Sequence, residues 1–100
     1  MRNIVLLCQN GMSTSILVNK MKEAARDINY ECTINAFSVT DAESAVKGSD
    51  IVLLGPQIRF QMKKLQPLYP DCIFEVIDMV AYGTMNGKKV IEQVVKVLGD

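Results

Sequence analysis

Two short apolar runs, one from Ile4 to Cys8 and one that opens at Asp50 and closes at Leu54, constrain the fold of this chain more than any other feature. Runs of this length, rich in Ile, Val and Leu, read as strands covered on both faces, as the inner strands of a parallel sheet are. Two further segments, Glu31 to Phe37 and Cys72 to Ile77, alternate less cleanly, and the second carries Glu75. They read as more exposed strands at the two edges.

Helical patterns separate these segments. Ile16, Leu17, Met21, Ala24, Ala25 and Ile28 form one stripe, and Val90, Ile91, Val94, Val95 and Leu98 another. A shorter helix is expected after Thr40, which stands at capping-box spacing from Glu43, and another through Ile58, Met62 and Leu65, stopped by Pro67. Parallel neighbours need long, right-handed crossovers, so strand and helix in alternation imply an α/β doubly wound fold with helices on both faces. The expected architecture is one three-layer domain over residues 1–100, with a four-stranded parallel sheet in the order 2-1-3-4. Ligands of such sheets bind beyond the carboxyl ends of the strands at the topological switch point, here between strands one and three. Cys8 ends strand one.

Composition removes several function classes. Eleven basic and eleven acidic residues balance, and no basic run could track a nucleic-acid backbone. No stretch approaches a membrane span and no signal-peptide core is present, so the chain is expected in the cytosol, without membrane insertion. Cys8, Cys32 and Cys72 are widely spaced and odd in number, against a disulfide framework, and the chain has no histidine, against a zinc site or histidine acid–base chemistry. No metal and no cofactor is expected. Cys32 and Cys72 read as small core hydrophobes.

The loop Cys8-Gln9-Asn10-Gly11-Met12-Ser13-Thr14-Ser15 is built for an anion. Gly11 permits the backbone angles that turn successive N–H groups into one concavity, and Ser13, Thr14 and Ser15 bring hydroxyls to the open first turn of a helix. Each hydrogen bond to a charged group contributes about 1.5–3 kcal/mol, against about 0.3–1 for the helix dipole, so the loop donors dominate. The same setting favours the thiolate of Cys8 as a nucleophile. No nucleotide-binding glycine motif follows any strand. A Cys-x5-Arg phosphatase loop would place arginine where Thr14 stands; without that clamp, transfer to another molecule is favoured over hydrolysis. Three readings remain: a phosphoryl carrier, a small cysteine phosphatase or arsenate reductase-like enzyme, and a noncatalytic anion-binding regulatory module. Asp78, at the end of strand four, reads as the N-cap of a short turn, Met79 to Tyr82, with no catalytic role.

The loop from Cys8 to Ser15 with the following Leu17-Val18 closely resembles the active loop of enzyme IIB components of the phosphoenolpyruvate-dependent sugar phosphotransferase system, in the lactose, cellobiose and chitobiose branch. Val52-Leu-Leu-Gly-Pro-Gln-Ile58, Val76-Ile-Asp78 and Tyr82-Gly83 resemble that branch in order and spacing, so the likeness spans nearly the whole chain. It implies a phosphotransferase in which Cys8 accepts phosphoryl from a phosphohistidine of the IIA component. Cys8 then passes it to a sugar, a β-linked disaccharide such as cellobiose or chitobiose, bound by the membrane IIC component. Gln9, Asn10, Gly11, Met12, Ser13, Thr14 and Ser15 would hold the phosphate. A phosphocysteine exchanged between two proteins is expected to be shallow and open to solvent, with Met12, Gln57, Ile58, Arg59 and Phe60 as candidate partner contacts.

Overall fold

In the computed structural model, which describes residues 1–9 and 14–100, the continuous apolar run near the amino terminus becomes β1 (Arg2–Cys8) and its counterpart becomes β3 (Ile51–Leu54). From Ile4 to Cys8 and from Ile51 to Leu54 every residue is buried. The edges are β2 (Cys32–Ser38) and β4 (Phe74–Val76). All neighbours pair in parallel, in the order β2-β1-β3-β4. Burial on both faces placed the two apolar runs in the middle, as their composition requires.

Alternation along the strands sorts the core into two layers. Ile4, Leu6, Ile51 and Leu53 face α1 (Ser15–Asp27) and α5 (Gly87–Leu98). Val5, Leu7, Val52 and Leu54 face the opposite layer, made by α2 (Ala42–Ala45) and α3 (Met62–Leu68). Each fully buried Leu or Ile here contributes about 1.5–3 kcal/mol. A fifth helix, α4 (Met79–Gly83), sends Ala81 and Tyr82 into the first layer. The register is pinned at the start of β3, where Asp50 receives the Asn3 amide on Oδ2 at 2.7 Å and donates its own amide to the Asn3 carbonyl at 2.8 Å.

Several local expectations are corrected. Thr40 does not open a capping box; a 3₁₀ turn, Val39–Asp41, comes first, and Ser38 accepts the Thr40 amide on its hydroxyl at 3.4 Å. Pro67 lies inside α3 rather than stopping it. Near a helix end the missing proline N–H removes one bond only, and the Tyr69 amide still reaches the Leu65 and Gln66 carbonyls. Ile16 and Ile28 leave the stripe of α1, whose buried face is Leu17, Val18, Met21 and Ala25. Asp78 caps α4 as expected, receiving the Ala81 amide on Oδ2 at 3.0 Å.

Candidate active site at the end of β1

Cys8 is the last residue of β1, opposite Ser38 of β2, and one residue beyond the last β1–β3 pair, Leu7 with Leu54. The chain therefore places its first cysteine at the switch point between the two halves of the sheet. Helix α1 starts at Ser15, and Thr14 occupies its N-cap position. Its carbonyl accepts the Val18 amide at 2.8 Å, but its hydroxyl makes no cap bond. That hydroxyl turns to the sulfur instead, with Oγ1 at 3.6 Å from Cys8 Sγ. The thiol itself donates to the Phe37 carbonyl at 3.7 Å.

Burial overturns one expectation. Cys8 is 3% exposed and Thr14 is fully buried, so the sulfur is covered where a thiol open to solvent was expected. Pairing with β2 continues through Cys8 itself, and Thr14, itself buried, brings its Oγ1 to 3.6 Å from the sulfur. Gln9, by contrast, is exposed, and its carbonyl receives the Ser38 hydroxyl at 3.2 Å, which ties the start of the loop to β2. Ser15 is exposed. Asn10, Gly11, Met12 and Ser13, expected to complete the phosphate cradle, lie outside the described residues.

The segments after the carboxyl ends of β3 and β4 meet at Gly55, next to the end of β1. Gly55 donates its amide to the Leu7 carbonyl at 3.0 Å. A Cβ on Gly55 would stand 3.3 Å from Gln57 Oε1 and 3.8 Å from Tyr82 Cε2, so both side chains close on this corner. Of the expected partner contacts, Gln57, Arg59 and Phe60 are exposed, whereas Ile58 is 4% exposed. Ile58 packs onto the core with Leu54 and Leu65 from a kink within Pro56–Gln61, where its φ of −116° and ψ of 23° break the 3₁₀ geometry on either side. Arg59 is steadied by its own turn, donating Nη1 to the Pro56 carbonyl at 3.1 Å.

Three apolar residues were not anticipated at this end of the sheet. Ile16 in the first turn of α1 and Met79 and Val80 in the first turn of α4 are exposed, and with Phe60 they follow the carboxyl ends of three different strands. Each follows a strand end where a helix begins; Met79 and Val80 belong to no predicted stripe, whereas Ile16 belongs to the expected stripe of α1 and only the structure turns it outward. Among the described residues no group of His, Cys, Asp and Glu stands in metal-holding geometry, and no helix is long and apolar enough to cross a membrane.

Comparison with known proteins agrees with this geometry. The family model described as "PTS system, Lactose/Cellobiose specific IIB subunit" matches residues 3–93. The oligo-beta-mannoside-specific EIIB component of Bacillus subtilis (strain 168) is 43% identical, over 98% of this chain and 97% of that protein. The cellobiose-specific EIIB component of Lactococcus lactis subsp. lactis (strain IL1403) is 38% identical, over 88% of each. Among solved structures, the cellobiose-specific phosphotransferase IIB component protein from Borrelia burgdorferi superposes with a TM-score of 0.80 at 39% identity, covering 98% of this chain and 92% of that one.

Proposed function

Because this chain belongs to the lactose/cellobiose-specific IIB family of the sugar phosphotransferase system, and is a phosphotransferase of that system, we propose that Cys8 is the residue that carries the phosphoryl group. In this reading Cys8 Sγ attacks the phosphorus of a phosphohistidine on the IIA component. The phosphorus–nitrogen bond breaks as the phosphorus–sulfur bond forms, and the imidazole keeps the electron pair. A hydroxyl of the sugar held by the IIC component then attacks the same phosphorus, gives up its proton to solvent, and the cysteine leaves as thiolate.

The observation that carries the reading is the meeting of Cys8 Sγ and Thr14 Oγ1 at 3.6 Å, where the central strand ends and the first helix begins. A hydroxyl there can donate to the thiolate before transfer and to a phosphoryl oxygen after it. The segment from Gln9 to Ser15 is proposed to supply the remaining donors. Since the sulfur is covered in the resting fold, donor and acceptor reach it only when the contacts above it part, and docking is the event that parts them. Gln57, Arg59 and Phe60, joined by Ile16, Met79 and Val80, form the docking rim on which IIA and IIC are received in turn.

In this reading the chain works in the cytosol as one domain over residues 1–100, and the sugar is held by IIC rather than by this chain. A β-linked disaccharide fits the names of the relatives, which include cellobiose- and oligo-beta-mannoside-specific components. Incubation with a phosphorylated IIA donor should add one phosphoryl group to the intact mass, and Cys8→Ser should abolish it. Steady hydrolysis of an aryl phosphate, with no phosphorylated chain accumulating, would instead identify a phosphatase.

A further inference from the structure

The two edges of the sheet are treated differently. The β4 edge is short, and Gln93 of α5 covers it, donating Nε2 to the Val76 carbonyl at 3.0 Å and to Glu75 Oε1 at 3.4 Å. The β2 edge runs from Cys32 to Ser38 with no charged residue and no proline, and among the described residues no strand pairs with its outer side. Edges this long and unguarded invite another strand, which is why proteins usually block them with charge, proline or a covering element. Alongside it lies a groove of about 700 Å³ between β2 and the carboxyl-terminal half of α1, lined among others by Lys22, Arg26, Asn29, Cys32, Ile34 and Asn35.

The charges on the groove select an occupant. Lys22 and Arg26 sit one turn apart on α1, and among the described residues neither has a carboxylate within salt-bridge distance. Glu31 is the one acidic group that lines the groove with them. Burial raises the pKa of Cys32, which keeps its thiol neutral beside the strand. A second copy of this chain is a poor occupant: pairing two β2 edges antiparallel about a two-fold axis sets the α1 helices side by side, Lys22 and Arg26 of one against those of the other.

We infer that the β2 edge and its groove bind an extended acidic segment of another protein, which adds to the sheet as a fifth strand and sets carboxylates at alternate positions against Lys22 and Arg26. Main-chain hydrogen bonds to β2 hold the segment, and the two cations choose its charge. The groove is lined by the first half of β2, as far as Asn35, and Ser38, the partner of Cys8, is three residues further along, roughly 10 Å at about 3.3 Å per residue. A segment paired with Thr33 to Phe37 lies on the outer side of β2, away from β1, and stops one residue short of Ser38, the partner of Cys8.

The test is an amide NMR titration of the full chain with the blocked peptide Thr-Glu-Val-Glu-Val-Glu-Thr, beside the same peptide with Lys in place of Glu. The expected result is perturbation of the amides from Thr33 to Phe37 by the acidic peptide alone. In the double variant Lys22→Glu, Arg26→Glu, affinity for it should fall about tenfold and the lysine peptide should become the better ligand. Both positions are on the surface, and an unchanged unfolding temperature separates lost binding from lost structure. No binding at millimolar peptide, perturbations centred on Cys8, indifference to the charge reversal, or dimerisation of the chain alone through β2 would each overturn the inference.

Discussion

Gly87 is the residue on which the placement of α1 depends, and Gly87→Ala tests that directly. At this position, the first of α5, the helix backbone runs against α1 so closely that an added Cβ would lie well inside 3.0 Å of the Lys20 carbonyl group and the Met21 amide nitrogen. These are main-chain atoms, so no side chain can swing aside; the two helices must separate. Overpacking of this kind costs about 1–3 kcal/mol, and backbone against backbone belongs at the upper end. Alanine returns at most about 1 kcal/mol of helix propensity, and less at a first position. A net loss of about 2–3 kcal/mol lowers the melting temperature by about 8–24 °C in a domain of this size. Gly83→Ala is the control, since nothing stands within 4 Å of its added Cβ; it should leave the melting temperature unchanged or slightly raised. Thermal unfolding followed by circular dichroism reads both. A Gly87→Ala protein as stable as the parent would refute the close helix contact and the seat it gives α1 beneath Thr14.

Thr14→Val removes the hydroxyl 3.6 Å from the Cys8 sulfur while keeping its volume; phosphoryl acceptance from a IIA donor should slow about tenfold to a hundredfold, and Thr14→Ser should recover most of the rate. Hydrogen bonds from Arg2 and Tyr30 pull the Asp100 carboxylate from its ordinary 3.8 down to about 2. A depressed carboxylate stabilises the fold above its unfolded value, so this contribution should fade as the pH falls from about 4 towards 2, and Asp100→Asn should flatten that limb of a pH series of urea midpoints. Burial and the bond to Asp100 push Tyr30 from 10.0 up to about 12, so its contribution is present below about pH 10 and should be lost as the pH rises through 12. Asp78→Ala removes the cap of α4 and should cost about 0.5–2 kcal/mol in urea unfolding.

The layers and strand order were legible because burial is written directly into β1 and β3: a strand apolar at every position has no exposed face, and two such strands have to be neighbours inside the sheet. The polar positions of β2 and the Glu75 of β4 marked the edges for the same reason. What was not legible depends on tertiary contact. Nothing local distinguishes Ile16 from Leu17 as the residue that leaves the stripe; the angle at which α1 meets the sheet decides it. Thr40 and Glu43 had the spacing of a cap, yet the chain leaving β2 turns first through Ser38, whose hydroxyl intercepts the Thr40 amide. Ile58 is expected both on a helical pattern with Met62 and Leu65 and as a partner contact, and it packs into the core with Leu65 from a kink in the turn after β3. At the site itself, loop composition pointed to Cys8 and Thr14, and the two do meet. The depth of the sulfur was misjudged, because it depends on tertiary packing that brings the buried Thr14 hydroxyl against it.

The most direct measurement is to phosphorylate the chain with its IIA donor, digest it, and locate the added group by mass spectrometry. The account predicts the group on the sulfur of Cys8 and nowhere else. Phosphoryl found on Ser13, Thr14 or Ser15 while Cys8 remains a free thiol would contradict it.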